Sequence, residues 1–557
     1  MSTIPALMNS ATTPGPRRSA GETTSTLVNR LWSYCELLRH SGVSTLDYVE
    51  QLTYLLFLKM ADERANRPAK FRQNLPEEPL VPPGLDWQSL TSRSAEDLVD
   101  HYEHVLRQLG RNGGTMLGEV FTKAQNKIHE PAVLERLIKD LIDPYTWTRE
   151  NQDLKGDAYE GLLQRGAEDR KTGAGQYFTP RPLIDAMVDC VQPRPGESIT
   201  DPACGTGGFL IAAHAHIVER YEEQLYGDEA RKLQTGAITG YELVRETARL
   251  ALMNMLLHGI GTSEARPLIT IQDSLAKSPH KFYDIVLANP PFGVGSVTGE
   301  AYTSRKDFWT QTTNKQLNFV QHIYTLLKTN GRAALVLPDN VLFEGGAGAE
   351  IRRRLLDLTN VHTLLRLPTG IFYANGVKAN VLFFDKRPPR PGGGPATKQL
   401  WVYDFRTDQR FTLKQRALRR EHLDEFVAAF HSGGTDHSAR KPSERFRAYE
   451  YDELIARDKV NLDLTVLQSA SASSASLAPP DVIAQEIVED LETALAEFTA
   501  VAQALKKAAR TTAANSAPNA AVDTAEGPTG TTGTTGTTNA TGTSEDGNFD
   551  DDTAQER

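Results

Sequence analysis

The chain has little from which a disulfide framework or a zinc site could be built. Its 557 residues include only three cysteines, Cys35, Cys190 and Cys204, which lie far apart and have no histidines at ligand spacing. No segment approaches the roughly 18 consecutive apolar residues of a membrane-spanning helix, and residues 1–21 are polar. We therefore expect a cytoplasmic protein without a metal site, whose chemistry comes from other residues.

Positive charge is also in short supply. The formal net charge is −10, but residues 511–557 hold eight acidic residues against one arginine, so the rest of the chain carries only −3. A nearly neutral body can bind DNA through a local basic stripe or a basic partner subunit. The overall charge therefore excludes no class of partner, although it disfavours strong unaided binding to nucleic acid.

The length predicts about three domains of roughly 150 residues each. After a disordered segment 1–23, residues 24–150 lack glycine-rich turns and show helical periodicity, which predicts a helical domain. Residues 151–390 alternate short apolar runs with helical stretches, which predicts a doubly wound α/β sheet with helices on both faces. Beyond about residue 400 the pattern loosens. The expected strands are 198–200, 238–239, 268–271, 285–288, 333–337, 363–367 and 381–384.

The carboxyl-terminal part contains three kinds of segment. Residues 466–480 form a linker of small residues. Residues 481–510 carry an apolar residue every three or four positions, which predicts a helix that packs on a partner or on its own chain. Residues 511–557 are rich in threonine, glycine and acidic residues and cannot bury apolar surface, so we expect them to be disordered.

Residues 201–209 predict a strand, a tight glycine turn and a helix beginning near Thr206. No lysine follows the glycines, which excludes a P-loop, and Leu210 stands where a dinucleotide fingerprint needs its third glycine. Backbone amides in such a turn can approach the methionine carboxylate or ribose of a nucleoside cofactor. An ordinary strand-to-helix turn remains the alternative. The candidate cofactor-binding residues here are Asp201, Gly205, Thr206, Gly207 and Gly208.

Two further acidic residues follow the next strands. A ribose-binding acid normally ends the strand after the glycine turn, and Glu242 ends residues 237–242, whereas the nearer acids lie in a helical or inserted stretch. Asp273 ends the strand after that and can accept a hydrogen bond from an adenine amino group. For Asp273, an ordinary turn aspartate is an equal alternative.

The segment Asn289, Pro290, Pro291 and Phe292 follows an apolar strand. Proline cannot continue a central strand, so the chain leaves the sheet here and Asn289 lies at its carboxyl edge. The Asn289 side-chain oxygen and the Pro290 carbonyl can accept both hydrogens of an exocyclic amine, while Phe292 can stack on its ring. This predicts methyl transfer to an amino nitrogen, driven by orientation and electrostatics. A plain Asn-Pro turn is the alternative.

Cys204 suggests a competing mechanism, in which a thiolate activates a ring carbon. No histidine or lysine adjoins it in the sequence to lower its pKa, and it lies inside the glycine turn. We therefore interpret it as a small buried side chain.

These motifs, in this order, resemble the modification (M) subunit of type I restriction-modification systems. The resemblance runs from about residue 24 to 465 and is strengthened by residues 175–181, 367–372, 376–381, 451–459 and 461–463. It implies an S-adenosylmethionine-dependent adenine-N6 DNA methyltransferase domain over residues 151–465. In the family, two M subunits assemble with one specificity (S) subunit that reads the DNA, and a restriction (R) subunit can join them.

The resemblance also implies residue roles. The adenine, flipped out of the duplex, would bind at residues 289–292, and Thr206, Gly207 and Gly208 would hold the methionine end of the cofactor, with Glu242 on the ribose. The helix 481–510 would dock on the S subunit. The segment implied to close over the cofactor comprises Gln176, Tyr177, Phe178, Thr179, Pro180 and Arg181.

Three rival functions agree less well with these motifs. An RNA or protein methyltransferase is disfavoured by the helical domain and the 176–181 segment. A fused nuclease is disfavoured because no convincing acidic cluster is found, and a scaffold because the motifs are intact.

Two basic runs, 352–354 and 406–420, are candidates for phosphate contacts, although a solvated charged face is the more common role.

Overall fold

A computed structural model describes most of the chain between residues 45 and 466. The described residues are 32–33, 45–66, 79–147, 179–292, 302, 305–372, 378–389, 393–406, 411, 417–432, 434, 437 and 439–466. The predictions for residues 1–23, 467–480, 481–510 and 511–557, and for Gln176, Tyr177 and Phe178, lie outside them. No helix in the described ranges is both long and apolar enough to cross a membrane.

The amino-terminal region is helical in its described parts. Its longest helix, α1, is buried on nearly every side, with Leu52, Leu56 and Met60 all at most 1% exposed. A helix that is apolar all round needs neighbours on every face. The helices are α1 Thr45–Ala65, α2 Trp87–Thr91, α3 Ala95–Leu109, α4 Met116–Phe121 and α5 Pro131–Arg136, which a wider helical turn continues over Leu137–Ile142.

In the described ranges, nine strands form one sheet in the order β3-β2-β1-β4-β5-β7-β6-β8-β9. Strands β3, β2, β1, β4 and β5 are parallel to one another. Strand β7 lies between β5 and β6 and is antiparallel to both. Strand β8 is parallel to β6, and β9 is antiparallel to β8. The strands are β1 Ile199–Asp201, β2 Ile238–Glu242, β3 Ile269–Ile271, β4 Tyr283–Ala288, β5 Leu327–Pro338, β6 Thr359–Arg366, β7 Ala379–Lys386, β8 Gln399–Asp404 and β9 Phe446–Glu450.

The sheet separates two apolar cores, and strand β4 shows why. Ile285 and Leu287 belong to one core, whereas Val286 and Ala288 belong to the other, because successive side chains of a strand point to opposite faces. Both faces are therefore covered by helices, as predicted. The helices are α6 Arg181–Val191, α7 Gly208–Tyr221, α8 Gly227–Thr235, α9 Arg245–Leu257, α10 Lys315–Leu326, α11 Asp339–Phe343, α12 Ala347–Leu358, α13 Asp424–His431 and α14 Tyr451–Ala456.

Two details of the sequence prediction were wrong. The pattern was expected to loosen after residue 400, yet strands β8 and β9 extend the sheet there by pairing on the outer side of β6. Five of the six residues of β8 are buried, so it reads as an apolar run rather than an alternating one. The helix after the glycine turn begins at Gly208 rather than near Thr206, because Gly207 has a left-handed backbone.

The helical region docks on helix α9. Arg249 of α9 forms an ion pair with Glu50 of α1 and donates to the Thr122 carbonyl oxygen at 3.1 Å. The Met116 amide at the start of α4 donates to the Ala265 carbonyl oxygen at 2.7 Å. The helical region therefore contacts both α9 and the loop that follows it, which matters because α9 also supports the candidate site.

Candidate active site

The two motifs singled out in the sequence meet at one edge of the sheet. Strands β1 and β4 are parallel neighbours, with Thr200 opposite Val286, so the loops after Asp201 and Ala288 leave the sheet side by side. From β1 the sheet continues through β2 on one side, and from β4 it continues through β5 on the other. This is the topological switch point at which open α/β sheets bind ligands.

The glycine turn has a backbone that only glycine adopts readily. Gly205 has φ +55° and Gly207 has φ +86°, both in the left-handed region. The Gly207 amide closes the turn by donating to the Cys204 carbonyl oxygen at 2.8 Å. Apart from its chain neighbours, no described residue lies within 4 Å of the position that a Cβ on Gly205 would occupy, so the described part of the structure leaves open space beside the turn.

Two buried side chains that the sequence analysis missed hold this turn from behind. The Asn254 amide of α9 donates to the Thr206 carbonyl oxygen at 3.1 Å, and the Ser274 hydroxyl donates to the Pro202 carbonyl oxygen at 2.8 Å. Asn254 is 1% exposed within the otherwise apolar run of residues 250–257. A lone amide among apolar residues was the signal that could have revealed it, since buried polar groups need partners.

Glu242 lies next to the glycine turn, as its place at the end of β2 suggested. One carboxylate oxygen accepts the Gly205 amide at 3.0 Å, and the other accepts the Val244 amide at 2.9 Å. Burial raises the pKa of Glu242, although these amide hydrogen bonds act in the opposite direction. The neighbouring Leu243 is 61% exposed and presents apolar surface beside the carboxylate.

Asp201 is almost completely buried at the end of β1. Its carboxylate accepts the Ala203 amide at 2.9 Å. Burial raises the pKa of Asp201 to about 8, the hydrogen bond from Ala203 lowers it, and repulsion from Glu242 raises it further. In the folded protein at neutral pH this carboxyl is therefore largely protonated.

We expect Asp201→Asn to flatten the dependence of stability on pH. An aspartate that titrates near 3.9 when unfolded and near 8 when folded makes the folded state bind the extra proton, so stability falls as pH rises between those values. In urea unfolding, the free energy of unfolding of the variant relative to that of the wild type should rise by about 1.4 kcal/mol per pH unit between about pH 5 and 7.

The matched control for this experiment is Asp100→Asn, which changes an exposed aspartate of α3. Its stability should follow the wild-type pH profile. Parallel profiles for Asp201→Asn and the wild type would contradict the assignment of a protonated Asp201.

Asp273 lies in a turn after β3 with both carboxylate oxygens engaged. One oxygen accepts the Leu275 amide at 2.9 Å, and the other accepts the Tyr302 hydroxyl at 2.9 Å. Asp273 therefore makes the hydrogen bonds of a turn aspartate, and each oxygen keeps a second lone pair that could accept from a ligand, so the structure does not decide between the two interpretations. Burial, together with Asp273, raises the pKa of Tyr302, which the sequence analysis did not single out.

Asn289 is held by a residue from the segment before α6. Its amide nitrogen donates to the Thr179 hydroxyl oxygen at 2.8 Å. Its side-chain oxygen is buried and has no hydrogen-bond partner among the described residues. This oxygen is therefore left able to accept a hydrogen bond from a ligand.

The aromatic residue of the same motif has an aromatic neighbour. Phe292 is half-buried, and its ring centroid lies 6.3 Å from that of Phe372 at 61°, an edge-to-face arrangement. Phe372 belongs to the 367–372 segment, to which the sequence analysis assigned no role. Pro290 is buried and Pro291 half-buried beside them.

The segment 176–181, which the resemblance implies to close over the cofactor, lies within the described residues only from Thr179 onward. Thr179 and Pro180 precede helix α6, whose first residue is Arg181. The Arg181 guanidinium pairs with Asp185 one turn along the same helix at 3.2 Å. The Nε atom of Arg181 therefore points along α6 toward Asp185.

A buried polar network supports this edge of the sheet beyond β5. Arg366 of β6 is fully buried and donates to Asp463 at 2.6 Å, to the Leu464 carbonyl oxygen at 2.9 Å and to Asp339 at 3.3 Å. Asn380 of β7 also donates to Asp339, at 2.8 Å. Asn380 and Asp463, which lie in segments that carry the resemblance, thus belong with Arg366 to one network that fixes Asp339, the residue following β5.

The structure gives individual arginines of the two basic runs partners within the chain. Arg352 is neither a solvated residue nor a phosphate contact, because it is buried and its pKa is lowered by burial to about 10. Its guanidinium donates to the carbonyl oxygens of Val341, Glu344, Lys459 and Val460. In the second run, Arg406 pairs with Asp404, and Arg420 pairs with Asp189 and Asp424.

Cys204 is a small buried residue, as the sequence analysis concluded. It packs behind Gly240, and burial raises the pKa of its thiol well above the usual value. A thiolate mechanism at this position is therefore disfavoured. In the described ranges, no group of histidine, cysteine and carboxylate side chains could hold a metal ion.

Comparison with known proteins decides the family. The N-6 DNA Methylase family model matches residues 150–474, and the HsdM N-terminal domain model matches residues 27–141. The chain belongs to the N-6 DNA methylase family. It is 38% identical to the type I restriction enzyme StySJI methylase subunit of Salmonella typhimurium strain LT2, over 86% of this chain and 95% of that protein.

Solved structures of this methylase family share its fold. A protein from Vibrio vulnificus YJ016, assigned as a modification subunit of a type I restriction enzyme, has a TM-score of 0.63 and 26% identity, covering 78% of this chain and 94% of its own. A chain from a study of complex assembly and conformational transition in the type I R-M system has a TM-score of 0.59 and 26% identity, covering 87% and 99%.

The family and fold predictions are therefore confirmed. The chain is related over most of its length to type I methylase subunits, and its family is that of N6-adenine DNA methyltransferases. Its α/β sheet and helical amino-terminal region agree with the fold class expected from the sequence.

Proposed function

We propose that the chain is the modification subunit of a type I restriction-modification complex. It transfers a methyl group from S-adenosylmethionine to N6 of an adenine flipped out of duplex DNA. The observation that carries this proposal is the side-chain oxygen of Asn289, which is buried, has no hydrogen-bond partner in the described part of the chain, and lies at the switch point beside the glycine turn.

The acceptor chemistry follows from the amide at this position. An adenine amine is a poor nucleophile because its lone pair is delocalised into the ring. Hydrogen bonds from its two hydrogens to the Asn289 side-chain oxygen and the Pro290 carbonyl oxygen draw the nitrogen toward a tetrahedral geometry and aim the lone pair at the methyl donor. The proton leaves after transfer, so orientation and electrostatics supply most of the catalysis.

The residues around the glycine turn fit the cofactor. When bound, S-adenosylmethionine supplies an electrophilic methyl group on a sulfonium. The open space before Gly205 admits its methionine end, and the second lone pairs of the Glu242 carboxylate can accept ribose hydroxyls. Exposed Leu243 offers an apolar surface to the adenine, and Asp273 can accept from its amino group.

Other subunits are required for DNA recognition. Flipping a base costs roughly a few kcal/mol, which stacking on Phe292 and the amine hydrogen bonds offset. Arg352, Arg406 and Arg420 of the two basic runs are engaged within the chain, whereas Arg353 and Arg354 are exposed. As the family resemblance implies, we assign reading of the sequence to an S subunit, with a second M subunit in the complex and an R subunit as a further partner.

The test is methyl transfer by the assembled complex. The chain is purified with the S subunit encoded beside it and incubated with tritiated S-adenosylmethionine, duplex DNA, total RNA and protein extract in separate reactions. We expect label in DNA, recovered as N6-methyladenine after digestion, and none in DNA from a host that already expresses the complex. Label in RNA or protein alone would replace this proposal with the rival methyltransferase functions.

A further inference from the structure

We propose that Thr179 is a positioning residue for methyl transfer. Its hydroxyl holds the Asn289 amide in the one orientation that points the side-chain oxygen toward the acceptor amine. The resemblance implied only that Thr179 lies in the segment that closes over the cofactor. This inference rests on the proposed function and deepens it, because it links that segment to the acceptor side of the reaction.

The direct evidence is that the two ends of the Asn289 side-chain amide have different surroundings. The nitrogen end is bound to the Thr179 hydroxyl oxygen at 2.8 Å, and the oxygen end is buried without a partner in the described part of the chain. A side-chain amide has a donor end and an acceptor end of nearly equal size. Rotated by 180°, it would present N–H groups to the adenine amine, and no hydrogen bond would form.

The fold fixes the position of Thr179 through helix α6. Pro180 has φ −56° and ψ 134°, and its carbonyl oxygen accepts the Leu183 amide at 2.9 Å, so the chain before the helix is stiff. Pro182 lies in the first turn, where a missing N–H costs nothing. Leu183, Ile184 and Met187 anchor α6 in the same core as Leu287 of β4.

The two residues therefore meet because two rigid elements end at the same place. Thr179 lies just before α6, and Asn289 lies just after β4, 110 residues later in the chain. Both elements are held by one apolar core. The hydroxyl accepts from the Asn289 nitrogen and keeps its own proton for a second partner, so it can join the acceptor amide to a group on the cofactor side.

Thr179→Val is the informative substitution, because valine has nearly the same shape and lacks the hydroxyl. The Asn289 amide then loses its anchor and leaves a donor unsatisfied. In the complex with the S subunit, we expect kcat for DNA methylation to fall about 10- to 100-fold, with the dissociation constant for S-adenosylmethionine changed by about twofold or less. Thr179→Ser restores the hydroxyl and should recover kcat to within about threefold.

A second measurement isolates the hydrogen bond to the amine. Purine lacks the amino group, so it loses the hydrogen bonds in the pocket but also pairs more weakly and flips more easily. The informative quantity is therefore the affinity for DNA with adenine at the target divided by that for DNA with purine there. Thr179→Val and Thr179→Ala should both lower this ratio relative to the wild type, and Thr179→Ser should keep it. The matched control is Thr235→Val, which changes an exposed threonine of α8. Thermal unfolding of each variant checks that it is folded.

The outcomes separate this inference from the proposed function. Wild-type kcat in a folded Thr179→Val complex would overturn the positioning role. Lost cofactor affinity with unchanged kcat would make Thr179 a cofactor-binding residue only. If the wild-type complex itself methylates no DNA, the proposed function fails before Thr179 is tested.

Discussion

Replacing Asn289 by alanine is expected to lower the rate of methyl transfer roughly 10²- to 10³-fold, the usual effect of removing one preorganised hydrogen-bonding group from an active site. The side-chain oxygen that would receive the amine is buried and has no hydrogen-bond partner among the described residues. The cofactor contacts proposed here lie on the glycine turn and Glu242, so affinity for S-adenosylmethionine should remain nearly intact. Single-turnover methylation and calorimetry measure the two effects separately.

The control for this variant is Asn112→Ala, which removes an exposed asparagine side chain between α3 and α4. It should methylate DNA at the wild-type rate. Calorimetry that shows lost cofactor affinity for Asn289→Ala would contradict the assignment of Asn289 to the acceptor. Retained activity would contradict the proposed mechanism as a whole.

Replacing Arg366 by alanine is expected to lower the free energy of unfolding by about 3–5 kcal/mol, because it opens a buried cavity and removes the cation of a buried network. Arg366 is fully buried and bridges Asp339, Asp463 and the Leu464 carbonyl oxygen. Arg366→Lys should lose less, since it keeps the charge, although a single ammonium cannot reproduce the forked geometry of the guanidinium. Urea unfolding of the full chain measures both.

Arg354→Ala is the matched control for the arginine. Arg354 is exposed and forms an ion pair with Glu350, one turn earlier in α12, at 2.9 Å. Its replacement should lower the free energy of unfolding by less than about 1 kcal/mol. If Arg366→Ala is no more destabilising than Arg354→Ala, the network does not support this edge of the sheet as argued here.

Local sequence patterns were sufficient for the elements whose ends are marked by special residues. All seven expected strands occur at their predicted places, although several extend further. Pro290 ends β4 because it cannot donate to a ladder, and Gly207 permits the turn before α7 because it adopts φ +86°. Such signals act over a few residues, so they can be interpreted without knowing the fold.

Strands β8 and β9 were missed for the opposite reason. Strand β8 pairs with β6, and β9 pairs with β8, so their stability depends on partners elsewhere in the chain. Arg352 was misjudged similarly. Its sequence neighbours Arg353 and Arg354 are exposed, yet the carbonyl oxygens of Lys459 and Val460, more than a hundred residues away, make its burial tolerable.

The amino-acid sequence by itself determined the α/β class, the glycine turn and the place of Asn289 at a strand end, because periodicity, proline and glycine act on their immediate neighbours. Only the tertiary structure decided that Thr179 orients Asn289, that Asn254 holds the turn and that Arg366 joins three segments. These are hydrogen bonds between residues distant in the chain. Their partners are chosen by which elements the apolar cores bring together, and no local pattern records that choice.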